Sequence, residues 1–370
     1  MDMEQWMAAA AFGLEGLVRD ELAALGITGK AEPGGVRFEG GTDAAFLANL
    51  WLSTADRVQL VLGEAEAHSF EALFELVRAL PWEDYLPRDA RFPVTANCAR
   101  SQLMSPRDCQ TITKKAIVER LKQRYRINWF EETGAEYAVH VALHQNRARI
   151  TLNASGTALN RRGYRTWTGE APLRETLAAA LVQLSPWTGG TPLHDPFCGT
   201  GTILIEAAYR IARRAPGLTR AFAMEQWQMT DRAACRRLRE EAKAKYNPGL
   251  IRGLTGSDIN DNALALCKKH IAQAGLQGCI TVSRQDIHTM KSLPPNTCII
   301  TNPPYGERLG DRRQSEALYQ SLSALANNTP GSQLCVLTAH HGFERLFGKR
   351  AASRRRLYNG RLECEALVYL

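Results

Sequence analysis

Asn302-Pro303-Pro304-Tyr305 is the stretch of this chain best equipped for chemistry. Asn302 supplies a side-chain carbonyl acceptor. The two prolines fix φ and donate no N–H, so the carbonyl of Pro303 is held without a competing donor. Tyr305 offers a flat face on which a planar base can stack. Two acceptors converging beneath a π surface make a grip for the exocyclic amine of a nucleobase. The apolar run before them, Thr297 to Thr301, reads as a short buried strand of a parallel sheet. Ligands of open α/β sheets bind beyond the carboxyl ends of strands, where this tetrapeptide falls. Pro-Pro alone would read as a turn ending a strand. With Asn in front and Tyr behind, the functional reading is the better one.

A second constellation is Asp195-Pro196-Phe197-Cys198-Gly199-Thr200-Gly201-Thr202. Gly199 and Gly201 allow close backbone approach, and the helix start that follows favours a carboxylate or phosphate. No Gly-Lys-Ser/Thr follows, which excludes a Walker loop. The third glycine of the dinucleotide fingerprint is missing, and the next acid ending a strand, Asp258, comes 63 residues after Asp195 instead of about 20. Asp258 suits a ribose diol, since a carboxylate accepts two O–H bonds. Asp286, just after the third strand, is placed to receive an adenine amino group. Cys198 has no histidine nearby in sequence and reads as a small loop-packing side chain.

The elements that must position these residues alternate from Pro172 onward. Helix 172–184, strand 192–195, helix 202–213, strand 250–258, helix 260–274, strands 279–285 and 297–301, helix 315–327 and strand 333–338 give the β-α-β rhythm of a doubly wound, mostly parallel sheet. Asn359-Gly360 between two strand-like runs signals a terminal hairpin, hence an antiparallel last strand. Upstream, Leu14, Leu17, Val18, Leu22 and Leu25 mark a helix stopped by Gly26. A strand at 92–98, a helix 106–124 with Ser105 at N-cap, and strands at 137–143 and 149–153 form a compact α+β module. The segment 214–248 reads either as substrate contacts around Trp227 or as a packed insertion. His140, His144, His340 and His341 read as strand residues, and no metal site is expected.

Charge separates along the chain: the net is −9 over residues 1–97, +8 over 98–165 and +9 over 166–370. A basic middle and C-terminal part points to a polyanionic partner such as RNA or DNA. Lys114 and Lys115 lie on the basic helix. Arg161, Arg162 and Arg165 follow in a linker with Tyr164 and Trp167, a mixture suited to phosphate pairing and base stacking. Nine scattered cysteines without a Cys-x-x-Cys pair argue against a disulfide framework or zinc site and for a reducing compartment. Asp2 and Glu4 stand where a signal peptide carries positive charge, and no window reaches the roughly 20 apolar residues of a membrane span. The expectation is a cytoplasmic protein with no membrane and no obligate protein partner.

From the Leu173-Arg174-Glu175 helix start after Pro172, through the Asp195–Thr202 loop, Gly256-Ser257-Asp258-Ile259 and Asp286, to Asn302-Pro303-Pro304-Tyr305, the chain resembles the class I S-adenosylmethionine-dependent methyltransferases. The stretch Ser105–Lys122 resembles the THUMP RNA-binding domain. With the arginine linker, the whole is similar to bacterial 23S rRNA guanine-N2-methyltransferases. The resemblance implies a Rossmann-like α/β sheet with an antiparallel last strand, preceded by an α+β THUMP/ferredoxin-like region. The expected layout is a ferredoxin-like flank at 1–44, THUMP at 45–155, linker at 156–171 and methyltransferase domain at 172–370. It implies S-adenosyl-L-methionine as cofactor, lined by Asp195, Pro196, Cys198, Gly199, Gly201, Thr202, Asp258, Ile259, Asp286 and Asn302. Asn302, Pro303 and Tyr305 would act on the base, and Lys114, Lys115, Arg161, Arg162 and Arg165 on ribosomal RNA. Some relatives carry a second domain that makes 7-methylguanosine, an activity not expected of residues 1–370. The expected reaction is methyl transfer to a guanine N2 in 23S rRNA. The rivals are tRNA guanine, DNA adenine N6, and a catalytically silent RNA-binding assembly factor.

Overall fold

The computed structural model describes residues 3–127, 129–165, 173–305 and 311–370. Trp167, Pro172 and the linker residues around them lie outside that set. The first seven strands are β1 (Glu4–Ala9), β2 (Gly29–Glu32), β3 (Gly35–Gly40), β4 (Arg57–Glu66), β5 (Val94–Ala99), β6 (Val139–His144) and β7 (Arg147–Asn153). They form one sheet in the order β2-β3-β1-β4-β7-β6-β5. Alternation makes one face apolar: Trp6, Phe38, Leu60, Val141, Ile150 and Leu152 point to the helices and are buried. β4 pairs with β1 on one side and β7 on the other, so the flank and the THUMP region share backbone hydrogen bonds. Residue 44, the expected boundary, lies inside the helix Thr42–Trp51.

Local chemistry explains the element ends. Ser105 Oγ accepts the N–H of Asp108 at 3.3 Å and Pro106 opens the helix Pro106–Tyr125. Gln145 and Asn146 (φ 51° and 61°) make the primed two-residue turn joining β6 to β7.

The second sheet holds β8 (Leu193–Asp195), β9 (Leu254–Asp258), β10 (Ile280–Arg284), β11 (Cys298–Thr301), β12 (Gln333–Thr338), β13 (Ser353–Asn359) and β14 (Leu362–Tyr369). Its order is β10-β9-β8-β11-β12-β14-β13, parallel except that β14 runs antiparallel to both neighbours. The expected Rossmann-like sheet and reversed last strand are therefore present. The hairpin is shifted by one residue: Asn359 still pairs with Leu362, and the two-residue loop is Gly360-Arg361. Gly360 has φ +67° while Arg361 needs no positive φ, which fits a type II′ turn.

The segment 214–248 is a packed insertion. The helix Arg232–Lys245 follows Trp227, which is buried and stacks on Tyr137 at 5.4 Å with a 12° interplanar angle. Its indole N–H donates to the carbonyl of Glu136 at 3.0 Å. Phe222, Met224 and Trp227 thus sit in the core of the first sheet, while Leu14 of the flank sits in the core of the second. This reciprocal exchange fixes the two halves to each other. Among the described residues no helix is long and apolar enough to cross a membrane.

Candidate methyl-transfer site

β8, β9 and β11 are adjacent and parallel, so Asp195, Asp258 and Asn302 all emerge at one edge of the second sheet. β11 is buried over its whole length, which sets the tetrapeptide at the sheet centre. Thr301, the last residue of β11, donates its hydroxyl to Asp195 Oδ1 at 2.6 Å, and the N–H of Phe197 donates to the same oxygen at 3.1 Å. Even so, burial pushes the Asp195 carboxyl up to about 7. Asp258 Oδ2 accepts the N–H of Gly199 at 2.9 Å, and Oδ1 accepts that of Asn260 at 2.9 Å. The glycine loop is thereby tied to the end of β9, and each oxygen keeps a second lone pair.

The loop leaves room for a ligand. Nothing lies within 4 Å of the point where a side chain on Gly199 would begin, whereas one on Gly201 (φ +83°) would stand 2.5 Å from Cys267 Sγ. Gly199 faces open space and Gly201 faces protein. Ile259, next to Asp258, is 59% exposed, an apolar side chain held out beside a carboxylate. Asp286 caps the short turn Ile287–Thr289 and is half-buried at the end of β10. Acid, open glycine, acid, exposed apolar residue and acid in sequence suit the amino-acid, ribose and adenine parts of S-adenosylmethionine. Cys198, Pro196 and Thr202 are buried. The Cys198 thiol is pushed up by its Cys267 neighbour and by burial, consistent with loop packing.

Three expectations need correction. Tyr305 does not present a free ring: it packs against the second core, and burial raises its phenol well above the usual range. Its hydroxyl donates to Asn302 Oδ1, so in this structure it orients the amide instead of offering a stacking face. Behind it, Tyr319 donates to the carbonyl of Pro304 at 2.7 Å, while Pro303 is buried.

Arg162 and Arg165 are not surface contacts for RNA. Arg162 is 4% exposed, donates to the carbonyls of Leu159 and Ser53, and lies 3.6 Å from Glu206. Arg165 pairs with Glu175 at 2.7 Å in a nearly buried contact. Arg162 ties the linker to both domains through Ser53 and Glu206, and Arg165 ties it to the catalytic domain through Glu175 and the Leu173 carbonyl. Lys114 is also engaged, with the Glu132 carboxylate at 2.5 Å and the face of Phe92 at 3.5 Å. Lys115 and Arg161 are exposed and remain open to a polyanion.

Sequence reasoning missed Thr301, whose hydroxyl joins the two motifs. A threonine ending an otherwise apolar strand was its only signal. It also missed His194, buried between Thr255 Oγ1 (2.8 Å) and Ser257 Oγ (3.2 Å), where burial lowers its imidazole to about 4. His340 and His341 lie beyond the end of β12, not within it. A separate cavity of about 200 Å3, lined by Trp51, Val182, Tyr209 and Arg214, lies toward the far end of the helix Thr202–Ile211 from Gly201 and takes no part in this site. Among the described residues no cluster of histidines, cysteines or acids could hold a metal ion.

Comparison with known proteins places this geometry. Residues 162–367 match the RMKL-like methyltransferase domain, residues 5–59 the RlmL ferredoxin-like domain and residues 67–153 the THUMP domain. The chain is 40% identical over 365 residues to the Bacillus subtilis protein named "Putative RNA methyltransferase YpsC", covering 98% of this chain and 95% of that one. It is 32% identical to the ribosomal RNA large subunit methyltransferase K/L of Syntrophotalea carbinolica, covering 99% of this chain but 53% of that one. The chain therefore spans about half the length of the K/L relatives. A crystal structure solved with S-adenosylhomocysteine (SAH) superposes with a TM-score of 0.94 at 36% identity, over 100% of this chain and 98% of that one. The chain belongs to the RMKL-like family of S-adenosylmethionine-dependent methyltransferases, with a ferredoxin-like and THUMP region in front of the catalytic domain.

Proposed function

We propose that the protein transfers a methyl group from S-adenosylmethionine to the exocyclic N2 of a guanine in large-subunit ribosomal RNA. One observation carries this reading: Asn302-Pro303-Pro304-Tyr305 stands at the end of the central strand, beside the Asp195 and Asp258 loops. The names of the K/L relatives and the THUMP region support RNA as the substrate. A Listeria monocytogenes structure 40% identical to this chain, described as "a predicted N6-adenine-specific DNA methylase", favours the DNA adenine reading, whereas the THUMP match over residues 67–153 favours RNA.

When bound, S-adenosylmethionine supplies an electrophilic sulfonium methyl. The chain's own residues do the rest. Asp258 would accept hydroxyls of the ribose, Ile259 would lie against the adenine and Asp286 would accept its amino group. Asp195 and the loop opened at Gly199 would hold the charged amino-acid end, with Gly201 packing the loop against Cys267. A guanine amine is a feeble nucleophile because its lone pair is delocalised into the ring. Asn302 Oδ1 and the Pro303 carbonyl accept its two N–H groups and favour the pyramidal amine that can attack. The amide oxygen has two lone pairs, so the Tyr305 hydroxyl can hold one while the substrate takes the other. Tyr305 is then a positioning residue. Holding amine and methyl in line is worth about 7–11 kcal/mol in well-oriented reactions. No strong base is required, since the proton can leave to water after transfer. A paired guanine cannot reach the site, so the base must be unpaired or flipped.

The test is mass spectrometry of nucleosides from large-subunit rRNA of a strain lacking the gene. Loss of N2-methylguanosine, restored by incubation with the purified protein, is the expected result. Unchanged N2-methylguanosine in the rRNA, with loss of a methylated nucleoside from tRNA or of methyladenine from DNA of the same strain digested in parallel, would assign a different substrate.

A further inference from the structure

Phe12 takes no part in the chemistry above, yet it is held out rigidly beside it. The ring is 58% exposed on the turn between β1 and the helix Glu15–Ala24. Its neighbours are fixed. Leu14 is 1% exposed and sits in the catalytic core with Leu177 and Leu357. A side chain on Gly13 (φ +91°) would begin 2.3 Å from the Arg356 carbonyl oxygen, so the turn lies directly on β13. Glu15 accepts the N–H of Gly13 at 2.7 Å and that of Gly34 at 3.2 Å. The backbone is clamped on both sides while the aromatic ring projects.

That turn stands at the catalytic edge. β13 runs antiparallel to β14 and therefore parallel to β12, so its carboxyl end shares an edge with Asp195, Asp258 and Thr301. Asn359, at that end, lies against the Tyr305 hydroxyl. A small cavity is lined jointly by Phe12, Arg174, Tyr358 and Gly360, which connects the turn to the hairpin. Arg174 and Arg361 are exposed there. A flat apolar ring sharing a cavity with Arg174, with Arg361 next in sequence to its lining residue Gly360, matches the chemistry of a nucleotide: a base to stack and a phosphate to pair. Asp56 lines the same cavity and interacts with Arg174.

We propose that Phe12, supplied by the ferredoxin-like region, is the stacking platform for a nucleotide flanking the target base, with Arg174 and Arg361 taking adjacent phosphates. This rests on RNA being the substrate. Flipping a guanine out of a strand leaves its neighbour without a stacking partner, and an aromatic ring at the mouth restores one. It also gives the flank a reason to be locked onto the catalytic domain, because its residue must stay in register with Asn302.

The experiment measures methylation of protein-free rRNA from the deletion strain by the wild-type enzyme and the Phe12→Ala, Phe12→Leu and Phe12→Trp variants. SAH affinity and melting temperature are followed alongside. Phe12→Ala is expected to raise KM for RNA roughly tenfold or more, with SAH affinity and melting temperature unchanged. Phe12→Trp should restore KM, and Phe12→Leu should not. An unchanged KM in Phe12→Ala, full rescue by leucine, or failure of tryptophan to rescue each overturns the platform. A wild-type enzyme that methylates no RNA refutes the substrate reading and the platform with it, whereas active wild type with an indifferent Phe12→Ala refutes the platform alone.

Discussion

Replacing Thr301 with valine removes one hydroxyl, and it should move the pH at which the methyl donor binds. The Thr301 side chain is fully buried and donates to Asp195 Oδ1 at 2.6 Å. Asp195 itself is 1% exposed, and its carboxyl stands at about 7 because burial outweighs the hydrogen bonds from Thr301 and Phe197. The ionised carboxylate is the form that attracts the donor's ammonium group. A hydrogen bond to a charged group contributes about 1.5–3 kcal/mol. At about 1.4 kcal/mol per pKa unit, its loss raises the Asp195 midpoint by roughly one to two units. The carboxyl would then be about a tenth ionised or less near pH 7, so affinity for SAH should fall roughly five- to fiftyfold there and recover above about pH 9. Calorimetric titration with SAH from about pH 6 to 9.5 reads both curves. A midpoint left near 7 in Thr301→Val, or a loss of equal size at every pH, would refute the reasoning. For the fold the sign is opposite. The folded carboxyl is raised from 3.8 to about 7, so its contribution to stability is full below about pH 4 and is lost as pH rises to 7.

Arg162→Met should destabilise the folded protein by about 3–5 kcal/mol, because it removes the guanidinium beside buried Glu206 and leaves that carboxyl only the Tyr164 hydroxyl. Urea denaturation checks this, and RNA affinity of the folded variant should be unchanged. Lys115→Glu should weaken RNA binding and flatten its salt dependence while leaving SAH affinity alone. Lys114→Glu should chiefly lower the melting temperature, since it breaks the contacts with Glu132 and Phe92. Filter binding at two salt concentrations, with thermal melts alongside, separates the two lysines.

What the sequence made legible was local. Ser105-Pro106 states its helix start in two residues, and the Ser105 cap is present. The tetrapeptide, the glycine loop and Asp258 were readable because each ends a strand of a regular β-α-β series. The terminal hairpin was readable too, though its loop slipped by one residue since Asn359 tolerates pairing and Gly360 supplies the positive φ. What sequence left hidden depends on distant partners. Nothing in Glu4–Ala9 announces a central strand, because its alternation is diluted by alanines and its partners are β3 and β4. Arg162 reads as a linker cation until Glu206 is placed beside it, 44 positions along the chain. Tyr305 reads as a platform until the second core draws it inward. Trp227 could not be assigned without Tyr137, and Phe12 gave no signal at all, since its meaning comes from Gly13 meeting Arg356.

The central claim is that Asn302 grips the amine of a guanine in RNA, and one measurement tests it directly. rRNA from the deletion strain is incubated with the wild-type or Asn302→Ala enzyme and S-adenosylmethionine, and N2-methylguanosine is quantified by mass spectrometry. Affinity for SAH is measured on the same samples. Wild type should form N2-methylguanosine, and Asn302→Ala should form none while binding SAH within a few-fold of wild type. Undiminished N2-methylguanosine from Asn302→Ala, or a different methylated nucleoside from wild type, would contradict the account.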